Sequence, residues 1–353
     1  MNPVVLLSML LGVILSAALL GYPPLYYVYL IHEILLITVF LWFICITFCK
    51  KNVRKPLESV TLFMLVLLTV LSPVNKMMAP DYESAFTDDP SVHTDYLVKE
   101  IGERPYMSEN EKKASAYIEN VLKEKGFSPV GDNNIVIKRE GKKQDTLIVC
   151  AHYDTVASSR GADDNASGVS VLLGLDIPEN PEYTLMLIFF TGEEVGLIES
   201  RYFADNIDRV IGVICVDTVG VGKDFHISSV KKNRSTSFFL SQVVYGLSDN
   251  GIPSIGPLYS DHVPFNEKRM RAVGLTRSTD RSYPHIHSEL DIEIDKNKVV
   301  ETGKTVQEIV IHFSYSENPY NFVYISVICA VIISCFLAYS FQNILNRIDL
   351  FKE

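Results

Sequence analysis

Four long hydrophobic runs flank a middle region in which polar and apolar residues alternate. Three of them come first, at about 3–20, 25–48 and 57–74, and the fourth lies at about 322–341. Each approaches the ~20 residues that a helix needs to cross the hydrocarbon core of a bilayer. A signal peptide is the alternative for the first run, but that run lacks a basic start and a second run follows almost at once. We therefore predict four transmembrane helices, the first of them retained.

The loop between the second and third runs is basic, which fixes the predicted orientation. Basic loops stay on the cytoplasmic side of a membrane, and this one contains Lys50, Lys51, Arg54 and Lys55. Counting crossings from it places both termini in the cytoplasm and the middle region in an extracellular or lumenal space. The predicted parts are three transmembrane helices in 1–76, an extracytoplasmic domain at 77–317, and a last helix with a cytoplasmic tail in 318–353.

Strand-like and helix-like patterns alternate in the middle region, which is typical of an α/β domain. Ser108 and Glu111 form a capping box in front of a helix that ends at Gly126. Apolar runs predict strands at 134–138, 146–151, 184–190 and 210–216. The last three are almost entirely apolar, as central strands covered on both faces must be. We predict a mixed, mostly parallel central sheet with helices on both faces.

Composition argues against nucleic-acid binding and against a disulfide-stabilised scaffold. The chain has 42 acidic and 32 basic side chains and a formal net charge of -10, so nucleic acid is not an expected partner. The six cysteines form no framework of regularly spaced pairs. Cys150 and Cys215 lie in strand-like apolar runs, where buried free thiols are the simplest interpretation.

Polar residues directly follow three of the predicted strands. In open parallel sheets, active sites form outside the carboxyl ends of the strands. His152 and Asp154 follow the run TLIVCA, Glu193 and Glu194 follow TLMLIFFTG, and Asp217 follows VIGVICV. Each signal is weak alone, because adjacent glutamates also begin helices and a His-x-Asp pair is common at surfaces.

Two further segments strengthen the interpretation. One is the turn GADDNASG at 161–168, and the other is HSELD at 287–291, after the strand-like AVGLTR. Together the five places supply two histidines and several carboxylates, which is the ligand set of a hydrolytic zinc pair. They contain no thiolate, so a nitrogen and oxygen shell favours zinc, with cobalt or manganese as substitutes.

The order of six motifs carries a family resemblance. HYD, GADDNASG, GEEVGL, VDTVG, SDHVPF and HSELD resemble the zinc exopeptidase family of the secreted bacterial aminopeptidases, glutamate carboxypeptidase and glutaminyl cyclase. The resemblance extends from the segment ERPYMSENEKKASAYI at 103–118 to His287. It implies two Zn²⁺ ions, with one aspartate bridging them and a histidine and a carboxylate completing each site. The implied ligands are Asp164 as the bridge, His152 and Asp217 at one ion, and Glu194 and His287 at the other.

The choice of the bridging aspartate depends on one residue of register. Asp164 is preferred to Asp163 because the family's bridging aspartate precedes the Asn-x-Ser-Gly stretch. The resemblance also implies a cis peptide bond after this aspartate, which is rare away from proline.

Two carboxylates are assigned roles beside the metal. By resemblance Glu193 is the general base, which takes a proton from water and passes it to the leaving amine. Asp154 is interpreted as the acceptor of the other N–H of His152, which fixes its tautomer; the alternative is a turn residue with no metal role. Several family members have a tyrosine just before the last histidine, but this chain has Ile286 there and Tyr283 further back, so the oxyanion donor stays open.

Other polar residues near these motifs receive simpler interpretations. Asp261 and His262 match the SDH motif, where structural support is expected rather than ligation. Arg277, Arg281 and His285 are candidates for the substrate pocket, although solvated loop charges are the favoured interpretation.

The predicted function is that of a membrane-anchored exopeptidase, in particular an aminopeptidase acting on a peptide substrate beside the lipid bilayer. A carboxypeptidase is one alternative, because the family contains both. A catalytically silent receptor or assembly module is another, and a single-zinc aminoacyl cyclase is a third. The full set of five ligands and Glu193 favours the hydrolase over the last two.

Overall fold

Three uninterrupted apolar runs form the centre of a twisted sheet. The structure is a computed structural model that describes residues 71, 73–82, 86, 89–131, 133–278 and 282–333. Within it the strands are β1 (Ile135–Arg139), β2 (Lys143–His152), β3 (Tyr183–Phe190), β4 (Val210–Val216), β5 (Phe225–Ser229), β6 (Gly251–Ile255) and β7 (Ala272–Thr276). The four strands predicted from the sequence correspond to β1 to β4.

The described strands form one mixed sheet in the order β1-β3-β2-β4-β7-β5-β6. β2 runs parallel to β3 and β4, and β4 runs parallel to β7, while β1 and β5 run antiparallel to their neighbours β3 and β7. The carboxyl ends of β2, β3, β4 and β7 therefore meet at one edge of the sheet. The predicted mixed, mostly parallel α/β architecture is confirmed.

Helices cover both faces of the sheet. They are α1 (Pro90–Asp95), α2 (Glu109–Glu124), α3 (Gly168–Leu173), α4 (Ile198–Asn206), α5 (Arg234–Leu247), α6 (His262–Glu267) and α7 (Lys296–Tyr315), with π-helical turns at Tyr96–Ile101 and Ala162–Ser167. On one face Ala204 of α4 and Phe265 of α6 pack against Ile148, Phe190 and Val213. On the other face α3 packs against β2, and α7 against β3.

Helix α2 begins as the sequence predicts, with one difference. The Ser108 hydroxyl accepts a hydrogen bond from the Glu111 N–H at 3.1 Å. The Glu111 carboxylate does not return to Ser108; it accepts from the Met107 N–H at 2.5 Å and from the Thr191 hydroxyl. Because Thr191 follows β3, this carboxylate joins the start of α2 to the loop that carries Glu193.

The chain divides into two units, of which 80–320 is the larger. In the smaller unit, residues 73–78 and 321–333 are helical. Within the described residues, no helix combines the length and the apolar character needed to cross a bilayer. The predicted helices at 3–20 and 25–48 lie outside the described residues, as do most of the one at 57–74 and the second part of the one at 322–341. The boundaries predicted at 77 and 317 stay predictions.

Candidate metal centre

The predicted metal ligands converge at the edge where the parallel strands end. His152 is the last residue of β2, Asp217 directly follows β4, and Glu194 lies in the loop after β3. Asp164 lies in the π-helical turn before α3, and His287 in the segment between β7 and α7. These residues are far apart along the chain and are brought together because the strands that precede them are parallel neighbours.

Asp164 lies between the two histidines. Its Oδ1 is 3.2 Å from His152 Nε2, and its Oδ2 is 3.0 Å from His287 Nε2. His152 Nε2 is also 3.6 Å from an Asp217 oxygen, and His287 Nε2 is 3.3 Å from a Glu194 oxygen. The five side chains thus form two groups, each with one imidazole and two carboxylates, and the groups share Asp164.

Unsatisfied polar atoms show that this donor set fits a cation. Among the described residues, His152 Nε2, Asp217 Oδ1 and Glu194 Oε1 are buried without a hydrogen-bond partner. A buried polar atom without a partner costs about 1–3 kcal/mol, so these three atoms at the two groups favour a compensating ligand. Imidazole nitrogen and carboxylate oxygen are the donors that zinc takes in hydrolytic sites.

The tautomer of His152 is set by Asp154. Nδ1 of the imidazole lies 3.2 Å from the Asp154 carbonyl oxygen and 3.5 Å from its carboxylate. Both neighbours are acceptors, so Nδ1 carries the proton and Nε2 presents its lone pair to the space shared with Asp164 and Asp217.

Asp154 also holds the loop that follows β3. Its two carboxylate oxygens accept hydrogen bonds from the backbone N–H groups of Glu193 and Glu194, each at 3.3 Å. Gly192 precedes them with a φ of +70°, a conformation that glycine adopts without strain. One fully buried carboxylate therefore orients His152 and both glutamates.

Asp163 and Asp164 point to different partners. The Asp163 carboxylate accepts from the Gly220 N–H at 2.5 Å, whereas the Asp164 carboxylate faces the two imidazoles. The Asp164–Asn165 peptide bond is cis, as the resemblance implies. The backbone N–H groups of both aspartates donate to the carboxylate of Asp291. The structure thus gives Asp164, and not Asp163, the position between the histidines.

Burial and neighbouring charges separate the pKa values of two carboxyls at the centre. Burial raises the pKa of Glu193 well above its usual range, and the charge of His152 only partly opposes this effect. Burial also acts to raise the pKa of Asp164, but the adjacent imidazoles of His152 and His287 outweigh it and hold that pKa below the usual range. Glu193 therefore binds a proton more readily than Asp164 does, as a residue that accepts a proton in catalysis must.

Several residues near the motifs are placed differently from expectation. Arg277 is not a solvated loop charge, because it is 5% exposed and forms an ion pair of 2.9 Å with Glu301 of α7. Arg281 lies outside the described residues, and the ring of His285 packs edge-on against Tyr283. The Tyr283 hydroxyl lies 3.3 Å from an Asp291 carboxylate oxygen. Tyr283 is thus a partner of Asp291.

Asp261 and His262 are both fully buried. Neither ring nitrogen of His262 has a hydrogen-bond partner among the described residues. Neither residue belongs to the two groups that share Asp164.

Sequence reasoning missed two residues that hold the centre in place. Asp291 was noted as the end of HSELD without a role, and Arg104 lies in the ERPY segment. Arg104 is fully buried. Its side chain donates hydrogen bonds to the backbone carbonyls of Tyr153, which follows His152, and of Arg160, which precedes the turn with Asp164. An arginine beside a proline in a polar segment gives no sign of burial, so a single sequence could not identify it.

The sequence pattern of Peptidase family M28 matches residues 134–310. Aminopeptidase YwaD of Bacillus subtilis is 29% identical over 217 residues, which are 54% of this chain and 47% of that protein. A vacuolar membrane protease of Lodderomyces elongisporus is 26% identical over 170 residues, 43% of this chain and 17% of that protein. The chain thus spans less than half the length of these relatives.

Solved structures show the same fold. The zinc aminopeptidase BSAP of Bacillus subtilis superposes with a TM-score of 0.56 at 15% identity, covering 65% of this chain and 96% of that one. Because the family pattern spans half of the sequence and includes every residue of the centre, the chain belongs to Peptidase family M28.

Proposed function

We propose that this protein is a membrane-anchored aminopeptidase that hydrolyses the terminal peptide bond of its substrate with two zinc ions. The observation that carries the proposal is the position of Asp164, whose two oxygens face His152 and His287 at 3.2 and 3.0 Å. A carboxylate placed in this way could serve two cations, and the remaining candidate ligands divide evenly between the two groups. Family membership and relatives named as aminopeptidases support the reaction class.

The residues of the centre have three proposed roles: metal binding, proton transfer and positioning. His152 and Asp217 would hold one ion, Glu194 and His287 would hold the other, and Asp164 would contribute to both positions. Zinc bound at these positions would supply a Lewis acid for the substrate carbonyl and would lower the pKa of water toward ~7. Glu193 accepts the proton of the attacking water and delivers it to the leaving amine. Asp154 keeps Glu193 and His152 in place through its hydrogen bonds.

The preference for an amino terminus rests on charge. The centre carries more carboxylates than two zinc ions neutralise, because Glu193, Asp163 and Asp291 lie beside the three carboxylate ligands Asp164, Asp217 and Glu194. Such a site attracts the ammonium group of a free amino terminus and repels a free carboxylate. The negative field therefore favours an aminopeptidase over a carboxypeptidase.

The membrane anchor and the sidedness are part of the proposal. Support comes from the four hydrophobic runs and the basic loop at 50–55, and from relatives named vacuolar membrane proteases. The catalytic domain lies outside the cytoplasm, and both termini lie inside it. Protease protection in sealed vesicles tests this, because a domain digested only on the cytoplasmic side contradicts the assignment.

The reaction is tested with matched peptide substrates on the full-length protein in detergent. We expect free aminoacyl substrates to be cleaved and their N-blocked counterparts to be resistant. A chelator abolishes turnover, and added zinc restores it. Turnover that survives chelation overturns the metal mechanism, while equal cleavage of blocked substrates overturns the aminopeptidase assignment alone.

A further inference from the structure

Arg104 is a fully buried cation next to the metal centre. Among the described residues it forms no ion pair; its guanidinium donates only to main-chain carbonyl oxygens. The acceptors are Tyr153 at 2.9 Å, Leu97 at 3.2 Å, Gly102 at 2.8 Å, Arg160 at 2.7 Å and Gly161 at 3.2 Å. Each of the three guanidinium nitrogens donates to at least one carbonyl, and Nη1 is shared among three of them, which offsets much of the cost of its removal from water.

These carbonyls belong to the segments that carry the predicted metal ligands. Tyr153 lies between His152 and Asp154, and Gly161 begins the turn that contains Asp164. The main chain adds a further link, because the Arg104 N–H donates to the Thr155 hydroxyl at 2.9 Å and the Thr155 N–H donates to the Arg104 carbonyl at 3.1 Å. Arg104 thus ties the loop after β2 to the turn before α3.

The contact between Arg104 and this turn is tight. Gly161 has a φ of +59°, and a Cβ atom there would meet the Asp164 carbonyl oxygen at 2.2 Å and the Arg104 guanidinium at 3.0 Å. The turn therefore has little room to shift while the guanidinium is present.

The charge of Arg104 also matches its surroundings. Burial lowers the pKa of Arg104 to about 10, and the carboxylates of Asp154, Asp291, Asp164 and Glu194 oppose that effect. The side chain stays cationic at neutral pH. A fixed positive charge behind a cluster of acids offsets their mutual repulsion, and so lets them converge before any cation arrives.

We propose that Arg104 is a positioning residue for the metal centre. Its guanidinium holds the backbone segments of His152 and Asp164 in register, and its positive charge offsets the negative charge of the acidic ligands. The proposal rests on the proposed function for its consequence in catalysis, but its primary effect is on metal affinity. Among the described residues, the Arg104 side chain forms no hydrogen bond or ion pair with a predicted ligand side chain, so it acts through the main chain and through its charge.

Two substitutions separate geometry from charge. Arg104→Lys keeps the cation but replaces a planar fork with one ammonium, which cannot reach five carbonyls. Arg104→Met has a similar length and neither property. Arg277→Met is the matched control, because Arg277 is also a buried arginine, but it pairs with Glu301 on α7 instead of holding the loops of the centre.

The test measures zinc affinity of the full-length protein by competition with a fluorescent chelator, beside melting temperature, kcat and KM. We expect Arg104→Lys to weaken zinc binding roughly 10–100-fold and Arg104→Met to weaken it further. At saturating zinc, Arg104→Lys lowers kcat while KM stays unchanged. Arg277→Met lowers the melting temperature but leaves zinc affinity unchanged.

The proposal is overturned if both Arg104 variants bind zinc as tightly as the wild type, or if Arg277→Met loses zinc affinity to the same extent. If Arg104→Met fails to fold, Arg104→Lys decides. A wild-type protein that binds zinc but cleaves no peptide contradicts the proposed function alone, because the affinity comparison is still measured.

Discussion

The carboxylate of Asp291 accepts a hydrogen bond from the backbone N–H of Asp164 at 3.0 Å. Its other oxygen accepts from the Asp163 N–H at 2.9 Å. Asp291 follows His287 in the same short segment. One loop thus supplies a predicted ligand and also fixes the backbone of Asp164, which lies between the two histidines.

We predict that Asp291→Asn weakens zinc binding roughly 10–100-fold. An amide has one acceptor oxygen, so its NH₂ group faces one of the two backbone N–H donors and displaces the turn. Chelator competition on the purified protein measures the effect. An unchanged zinc affinity would show that the turn keeps its shape without this carboxylate.

Asp154→Asn is expected to reduce kcat by about 10–100-fold, because it disturbs both His152 and the Glu193 loop. The reduction has two parts, a weaker imidazole ligand and a misplaced general base. Steady-state kinetics at saturating zinc isolates the second part. Wild-type kcat under those conditions would leave Asp154 without a role in placing Glu193.

Glu193→Gln tests the general base directly. The amide is nearly the same size but cannot accept a proton, so kcat is expected to fall by about 10²–10⁴-fold. Zinc content stays at the wild-type level, since Glu193 is not a predicted ligand. A variant that keeps its activity would require another residue to move the proton.

His262 predicts a dependence of stability on pH. Burial lowers the pKa of His262 to about 3, while an unfolded histidine titrates near ~6.5. Between these values the unfolded state binds more protons, so the free energy of unfolding falls as the pH is lowered below ~6.5. The loss from this residue is about 2 kcal/mol at pH 5.

The comparison with His262→Gln isolates this contribution, because the other titrating groups are common to both proteins. Melting temperatures at pH 7.5 and pH 5 are the measurement. We expect the wild type to lose more stability on acidification than the variant. Equal losses would mean that His262 is protonated in the folded protein or opens to solvent.

The central strands were predictable because they are buried on both faces. β2, β3 and β4 therefore consist of nearly continuous apolar residues, and polar residues placed directly after them mark the edge where ligands gather. β5 and β6 are short and contain serine, and β6 contains proline as well. In such short segments the hydrophobic residues do not recur at a spacing that would distinguish a strand from a loop.

The support of the centre was not predictable for a different reason. Arg104 acts on the carbonyl of Tyr153, 49 residues away, and Asp291 acts on the N–H of Asp164, 127 residues away. Both interactions involve the main chain of the partner, so the partner's side chain gives no sign of them. Motif resemblance could predict candidate ligands because ligation depends on side-chain chemistry.

The most direct test of the account is the number of zinc ions held by the full-length chain, measured by native mass spectrometry for the wild type, His287→Ala and Asp164→Ala. The account predicts two ions in the wild type, one in His287→Ala, and loss of the paired occupancy in Asp164→Ala, because that carboxylate serves both positions. A wild type that binds no zinc, or an Asp164→Ala variant that keeps both ions, contradicts the shared centre.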